Sequence, residues 1–169
     1  NGGRQLIDPA QFDLARLSED VRRFGGRLVV ERLPHPAQPA NPPGFQPPIA
    51  ALGPMFRARF DRIFRCRTDY ILDINTRPTH RVLGGYYKKR RLVRVYSHDR
   101  HSGRRPIDEL WDTFLHELAH HLEYTEPQTF HAERCQRIRG QMHSPLFWRI
   151  LADLKRRWAD CVRADQTQS

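Results

Sequence analysis

Ile107, Leu110, Trp111, Phe114, Leu115, Leu118 and Leu122 recur at steps of three and four residues. That spacing gathers seven apolar side chains on one face of a helix, which must then lie against a core. Pro106 suits the first position of such a helix, since a proline there loses only an N–H that has no partner anyway. Asp108, Glu109 and Asp112 stand in its first turns, where carboxylates complement the helix dipole.

Within this helix the residues off the apolar stripe include His116-Glu117-Leu118-Ala119-His120, an HExxH sequence. Histidines four apart lie one turn above each other on the same face. Two imidazoles so placed can hold one Zn²⁺, each at about 2.0–2.1 Å. Glu117 is rotated by about 100° from His116. Its carboxylate is therefore aimed beside the metal, where it can take a proton from a water and return it to a leaving amine. A catalytic zinc has three protein ligands and an open position. His121 is a poor third ligand because it points away from His120. His131, Glu133 and His143 remain candidates. Glu133 lies in 130–139, a plausible short helix. His143 precedes Ser144-Pro145-Leu146-Phe147-Trp148, followed by Ile150, Leu151, Leu154 and Trp158 at helical spacing, so it sits rigidly at the start of a packed C-terminal helix. Tyr86, Tyr124 and His98 are available as oxyanion donors but read as structural residues.

Elsewhere the pattern mixes helix and strand. Phe12, Leu14, Leu17, Val21 and Phe24 predict a first helix ended by Gly25-Gly26, with a short strand at Leu28-Val29-Val30; residues 1–33 are expected to belong to the same domain as the rest. Residues 34–54 hold eight prolines and no charged side chain, which predicts an extended wrap or loop. Helical spacing returns over 49–65 with Phe56, Phe60, Ile63 and Phe64. Tyr70-Ile71-Leu72-Asp73-Ile74 reads as a strand. Leu83-Gly84-Gly85-Tyr86-Tyr87 and Leu92-Val93-Arg94-Val95-Tyr96 read as a β-hairpin around Lys88, Lys89, Arg90 and Arg91. Residues 98–105 are expected to be a loop, 55–163 the core, and 164–169 a disordered tail.

A chain of 169 residues suits one domain. It carries 29 Lys+Arg against 19 Asp+Glu, a formal charge of +10. The excess is local: residues 67–105 hold eleven basic residues against three acidic ones, whereas 106–140 hold three against seven. A basic hairpin favours an acidic substrate or nucleic acid as a contact, and a solvated turn accounts for it equally. Cys66, Cys135 and Cys161 form no CxxC pair, so they are expected to be reduced thiols of an intracellular, cytoplasmic protein. No apolar run approaches the ~20 residues that span a membrane. The residues from Asn1 show no signal-peptide pattern. A monomer is expected, and a basic hairpin is compatible with association with the nucleoid.

These motifs resemble the SprT-like and YgjP-like zinc metallopeptidases. Leu83-Gly84-Gly85-Tyr86 is similar to their Gly-containing strand, 92–96 to the strand after it, and His143-Ser144-Pro145-Leu146-Phe147-Trp148 to their third-ligand motif. The likeness covers about residues 70–158. It implies a small α+β zincin-like domain, with a few-stranded mixed sheet packed on the HExxH helix and a C-terminal helix. It also implies one catalytic Zn²⁺ on His116, His120 and His143, with Glu117 as acid/base. The hairpin strand would be the edge along which a protein or peptide substrate pairs its backbone. Some members act on proteins crosslinked to DNA, which gives Lys88, Lys89, Arg90 and Arg91 a second role in DNA binding. The chain departs in the 22 residues between His120 and His143, which keep Glu133 as an alternative ligand, and in lacking a Cys-rich ribbon. Two other readings stand beside a peptidase acting on proteins. One is a non-catalytic, zinc-stabilised nucleic-acid-binding module; the other is an ImmA-like regulatory protease with Glu133 as a ligand.

Overall fold

The computed structural model describes residues 46–130 and 135–167. The expected N-terminal helix and strand, and the greater part of the proline-rich segment, lie outside these residues.

Helix α1 spans Ile49–Asp61 and buries Leu52, Phe56 and Phe60 on one face. The extended segment was expected to reach Pro54, yet Pro54 stands inside this helix. Proline in a helix loses one hydrogen bond, here to the carbonyl of Ala50. Ala50 is exposed, so that carbonyl can face water. Each apolar side chain buried on the other face contributes about 1.5–3 kcal/mol, which outweighs the loss. The helix ends at Asp61 rather than at residue 65.

Strands β1 (Ile71–Asn75), β2 (Gly84–Tyr87) and β3 (Leu92–Tyr96) form one sheet in the order β1-β3-β2. β1 runs parallel to β3, pairing Ile71 with Leu92, and β2 antiparallel to it, pairing Gly84 with Val95. The sheet is therefore mixed. Central β3 turns Val93 and Val95, both 0% exposed, towards the helices. The β2–β3 hairpin closes through a 3-10 turn at Lys88–Arg90, with Arg91 in the left-handed region at φ 49.

The expected loop at 98–105 contains a small hairpin, β4 (His98–Asp99) and β5 (Gly103–Arg104). Two-residue strands carry no periodicity to read. Tertiary contacts hold them instead: buried Arg105 donates to Asp99, Glu109 and the Thr79 carbonyl.

Helix α2 (Ile107–Thr125) lies between the sheet and the long C-terminal helix α4 (Pro145–Thr167), with the short α3 (Pro127–Phe130) between them in sequence. Pro106 is the residue before α2 rather than its first. The predicted stripe is the core: Leu110, Trp111, Phe114, Leu115, Leu118 and Leu122 are all at most 1% exposed. Phe56 and Trp158 pack on Trp111 at ring distances of 5.5 and 5.0 Å. Helix α4 continues to Thr167 where a tail was expected from 164. Val162 is buried, and Arg62 donates to Asp165 at 2.6 Å, so tertiary contacts carry this last turn. The described residues thus form a small α+β domain. No helix among them is long and apolar enough to cross a membrane. All three cysteines are free thiols.

Gly84 decides how closely sheet and helix approach. A Cβ there would lie 2.7 Å from Thr113 Cγ2, 2.8 Å from the Arg94 carbonyl oxygen and 3.0 Å from Glu117 Cγ. The backbone oxygen cannot rotate away, so β2 would have to move. Gly84→Ala should lower stability by about 1–3 kcal/mol, the usual cost of overpacking. Urea unfolding measures this; an unchanged midpoint would show that the strand yields freely.

Candidate metal centre

Two elements of the core bring three imidazoles together. The 3.6-residue repeat places His116 and His120 on the flank of α2, with ring centroids 5.2 Å apart. His143 arrives from the residue before Ser144, which opens α4: the Ser144 hydroxyl accepts the Phe147 N–H at 3.3 Å, and its carbonyl the Trp148 N–H at 3.2 Å. Among the described residues, His116, His120 and His143 are the group able to hold a metal ion, with ligand atoms all within 4.8 Å of one another. The Nε2 atoms of His116 and His143 are 3.2 Å apart. Two Zn–N bonds of about 2.0–2.1 Å at a tetrahedral angle would set such a pair about 3.3 Å apart. Three imidazoles are a donor set that suits zinc, and the His116–His143 pair has the spacing that zinc would require.

Phe147, fully buried, is the floor of the cluster. Its ring centroid lies 4.9, 4.3 and 4.6 Å from those of His116, His120 and His143. Burial lowers the pKa of all three histidines, His116 to about 4 and His120 to about 3, with neighbouring imidazoles adding to the shift in those two. Neutral imidazoles keep a lone pair for a metal. Phe147→Leu should preserve the fold while loosening this floor, at a cost of about 1–2 kcal/mol. Thermal melting would record it, and no shift in melting would mean the ring carries no packing.

Glu117, between the two helix histidines in sequence, packs its side chain against β2. It is 7% exposed, and burial pushes its carboxyl up to about 7. Its neighbour on the strand is Gly84, so an acid that titrates near neutrality stands against β2.

His121 is placed as its position relative to His120 predicts, away from the cluster. A carbonyl can only accept, so His121 Nε2–H donates to the Thr68 oxygen at 2.8 Å. Nδ1 then accepts from the Tyr86 hydroxyl at 3.2 Å. This occupies Tyr86 structurally. His98 is engaged as well, through Ser97 Oγ at 2.9 Å. His131 and Glu133 lie outside the described residues, and 135–139 are not helical, unlike the short helix expected over 130–139.

Lys88, Lys89, Arg90 and Arg91 are exposed on the hairpin turn. Lys88 turns back to the helix, its Nζ 4.1 Å above the Tyr124 ring, which Arg137 also covers at 4.1 Å.

Sequence reasoning passed over Glu123. Its side chain is 1% exposed, with Oε2 3.9 Å from His120 Nδ1 and Oε1 accepting from Ser144 Oγ at 2.5 Å. Its place three residues after His120, on the same face, was the available signal.

No known family, curated protein or solved structure matches this chain.

Proposed function

We propose that this chain is a zinc-dependent peptidase of zincin-like architecture, related to the SprT-like and YgjP-like enzymes its motifs resemble. The observation that carries the proposal is the convergence of His143 with His116 and His120 on the helix that also carries a buried Glu117 packed against β2. His116, His120 and His143 would hold one zinc ion. When bound, zinc polarises a carbonyl and brings the pKa of water towards ~7.

The chain's own residues do the rest. Glu117, near neutrality, accepts a proton at its carboxylate and returns it to the leaving amine; a carboxyl matched to the working pH serves both steps. Among the described strands β2 is the last of the sheet, paired with β3 on one side only. An extended polypeptide can add there, its backbone pairing with β2 and its scissile bond passing Glu117 near Gly84. The basic turn stands at the far end of that edge and supplies cations to an acidic substrate, or to DNA carrying one.

A buried carboxyl with no role would be a poor feature of a purely structural zinc site, which favours the enzyme over a nucleic-acid-binding module. The test is to incubate the zinc-loaded chain with unfolded protein, with and without single-stranded DNA, and to sequence new N-termini. Cleavage that stops with chelator and returns with zinc is expected. Tight nucleic-acid binding with no cleavage under either condition would support the binding module instead.

A further inference from the structure

His143 has little to hold it from its N-terminal side. Residues 136–142 have no helix or strand, and Met142 is 76% exposed. Its anchorage comes from the following residue and from Phe147. Ser144 is fully buried and donates to Glu123 Oε1 at 2.5 Å. The same carboxylate approaches His120 Nδ1 at 3.9 Å through Oε2 and Arg137 Nε at 3.9 Å through Oε1. Nδ1 of His120 is thus the ring nitrogen on the side of the carboxylate.

A buried carboxylate is costly unless its contacts repay it. Two of the three contacts of Glu123 lead to a metal ligand: one directly, and one through the residue that caps α4. We infer that Glu123 is a positioning residue of the metal centre. It sets the His120 ring from behind and, through Ser144, clamps the start of α4 to α2 so that His143 meets the two histidines of the helix. The inference rests on the zinc reading above. It assigns Glu123 no contact with substrate. Partners of this kind, behind metal-bound histidines, commonly change metal affinity by about 10–100-fold.

The full chain is titrated with Zn²⁺ against a chelating dye at pH 7.5, alongside melting of each metal-free variant. Ser144→Ala should weaken zinc about 10–100-fold, and Glu123→Gln, which keeps an acceptor for Ser144 but loses the charge behind His120, about 10-fold. In a His143→Ala background, Ser144→Ala should change zinc affinity less than about two-fold, because the ligand it positions is gone. A general loss of packing would weaken zinc in both backgrounds. Affinities of Ser144→Ala and Glu123→Gln within about two-fold of wild type would overturn the inference, as would a Ser144→Ala cost that persists without His143. If Ser144→Ala does not fold, Glu123→Gln decides alone. A wild-type chain that takes up no zinc would sink the metal reading itself, a distinct outcome from tight zinc that ignores Glu123.

Discussion

His143→Ala should strip the chain of most of its zinc, whereas Glu133→Ala should leave one equivalent bound. Structural zinc sites contribute about 10–16 kcal/mol over their ligands, so losing one imidazole of three should weaken affinity by about 10²–10⁴-fold. His116→Ala and His120→Ala should do the same, since the three ring nitrogens form one cluster. Metal analysis after dialysis against a mild chelator reads the result directly. Zinc retained in His143→Ala and lost in Glu133→Ala would replace the three-histidine site with a His-His-Glu site. Such an outcome would also leave the packing of Phe147 beneath His143 without a metal-related purpose.

Glu117→Gln should retain zinc, abolish cleavage and stabilise the metal-free protein at alkaline pH. Loss of a general acid/base commonly costs about 10²–10⁴ in rate. The stability effect follows from burial. The carboxyl titrates at about 7 in the folded chain, against 4.5 as its ordinary value. Below pH 4.5 it is protonated in both states and contributes no difference. Between 4.5 and 7 the unfolded chain releases a proton that the folded chain keeps, so stability falls as pH rises, and the full loss is present above pH 7. Glutamine carries no such penalty. The variant should therefore gain about 2–3 kcal/mol over wild type at pH 8 and nothing at pH 4. Urea unfolding of the metal-free proteins at both pH values gives the comparison. An equal gain at pH 4 and pH 8 would trace it to packing rather than charge.

The gain and the loss at Glu117 have one cause. A carboxyl moved out of water is a poor contributor to stability and a good proton carrier at neutral pH. Gly84 makes that burial possible. A Cβ at this position would lie 3.0 Å from Glu117 Cγ and 2.8 Å from the Arg94 carbonyl oxygen, too close for strand and helix to keep their present approach.

The strong periodicities were legible in the chain itself. The α2 stripe, the hairpin of β2 and β3, and the C-terminal helix behind His143 each repeat a spacing that local geometry alone converts into an element. The HExxH spacing likewise placed His116 and His120 on one face, because four residues make about one turn. Weaker signals gave way to packing. Pro54 predicts the end of an extended segment, yet it is carried inside α1 because Leu52, Phe56 and Phe60 reach the core. The last turn of α4 carries no strong local signal and is held by Val162 and by the Arg62–Asp165 pair.

Sequence by itself thus determined the HExxH pair and the helix that bears it, and its motifs named His143 as the expected third ligand with Glu133 as the alternative. Tertiary structure alone decided that His143 reaches the pair across 22 residues, since no local spacing governs where α4 docks on α2. It alone buried Glu117 against Gly84 and Glu123 against Ser144, because desolvation depends on neighbours brought together by packing rather than on order along the chain.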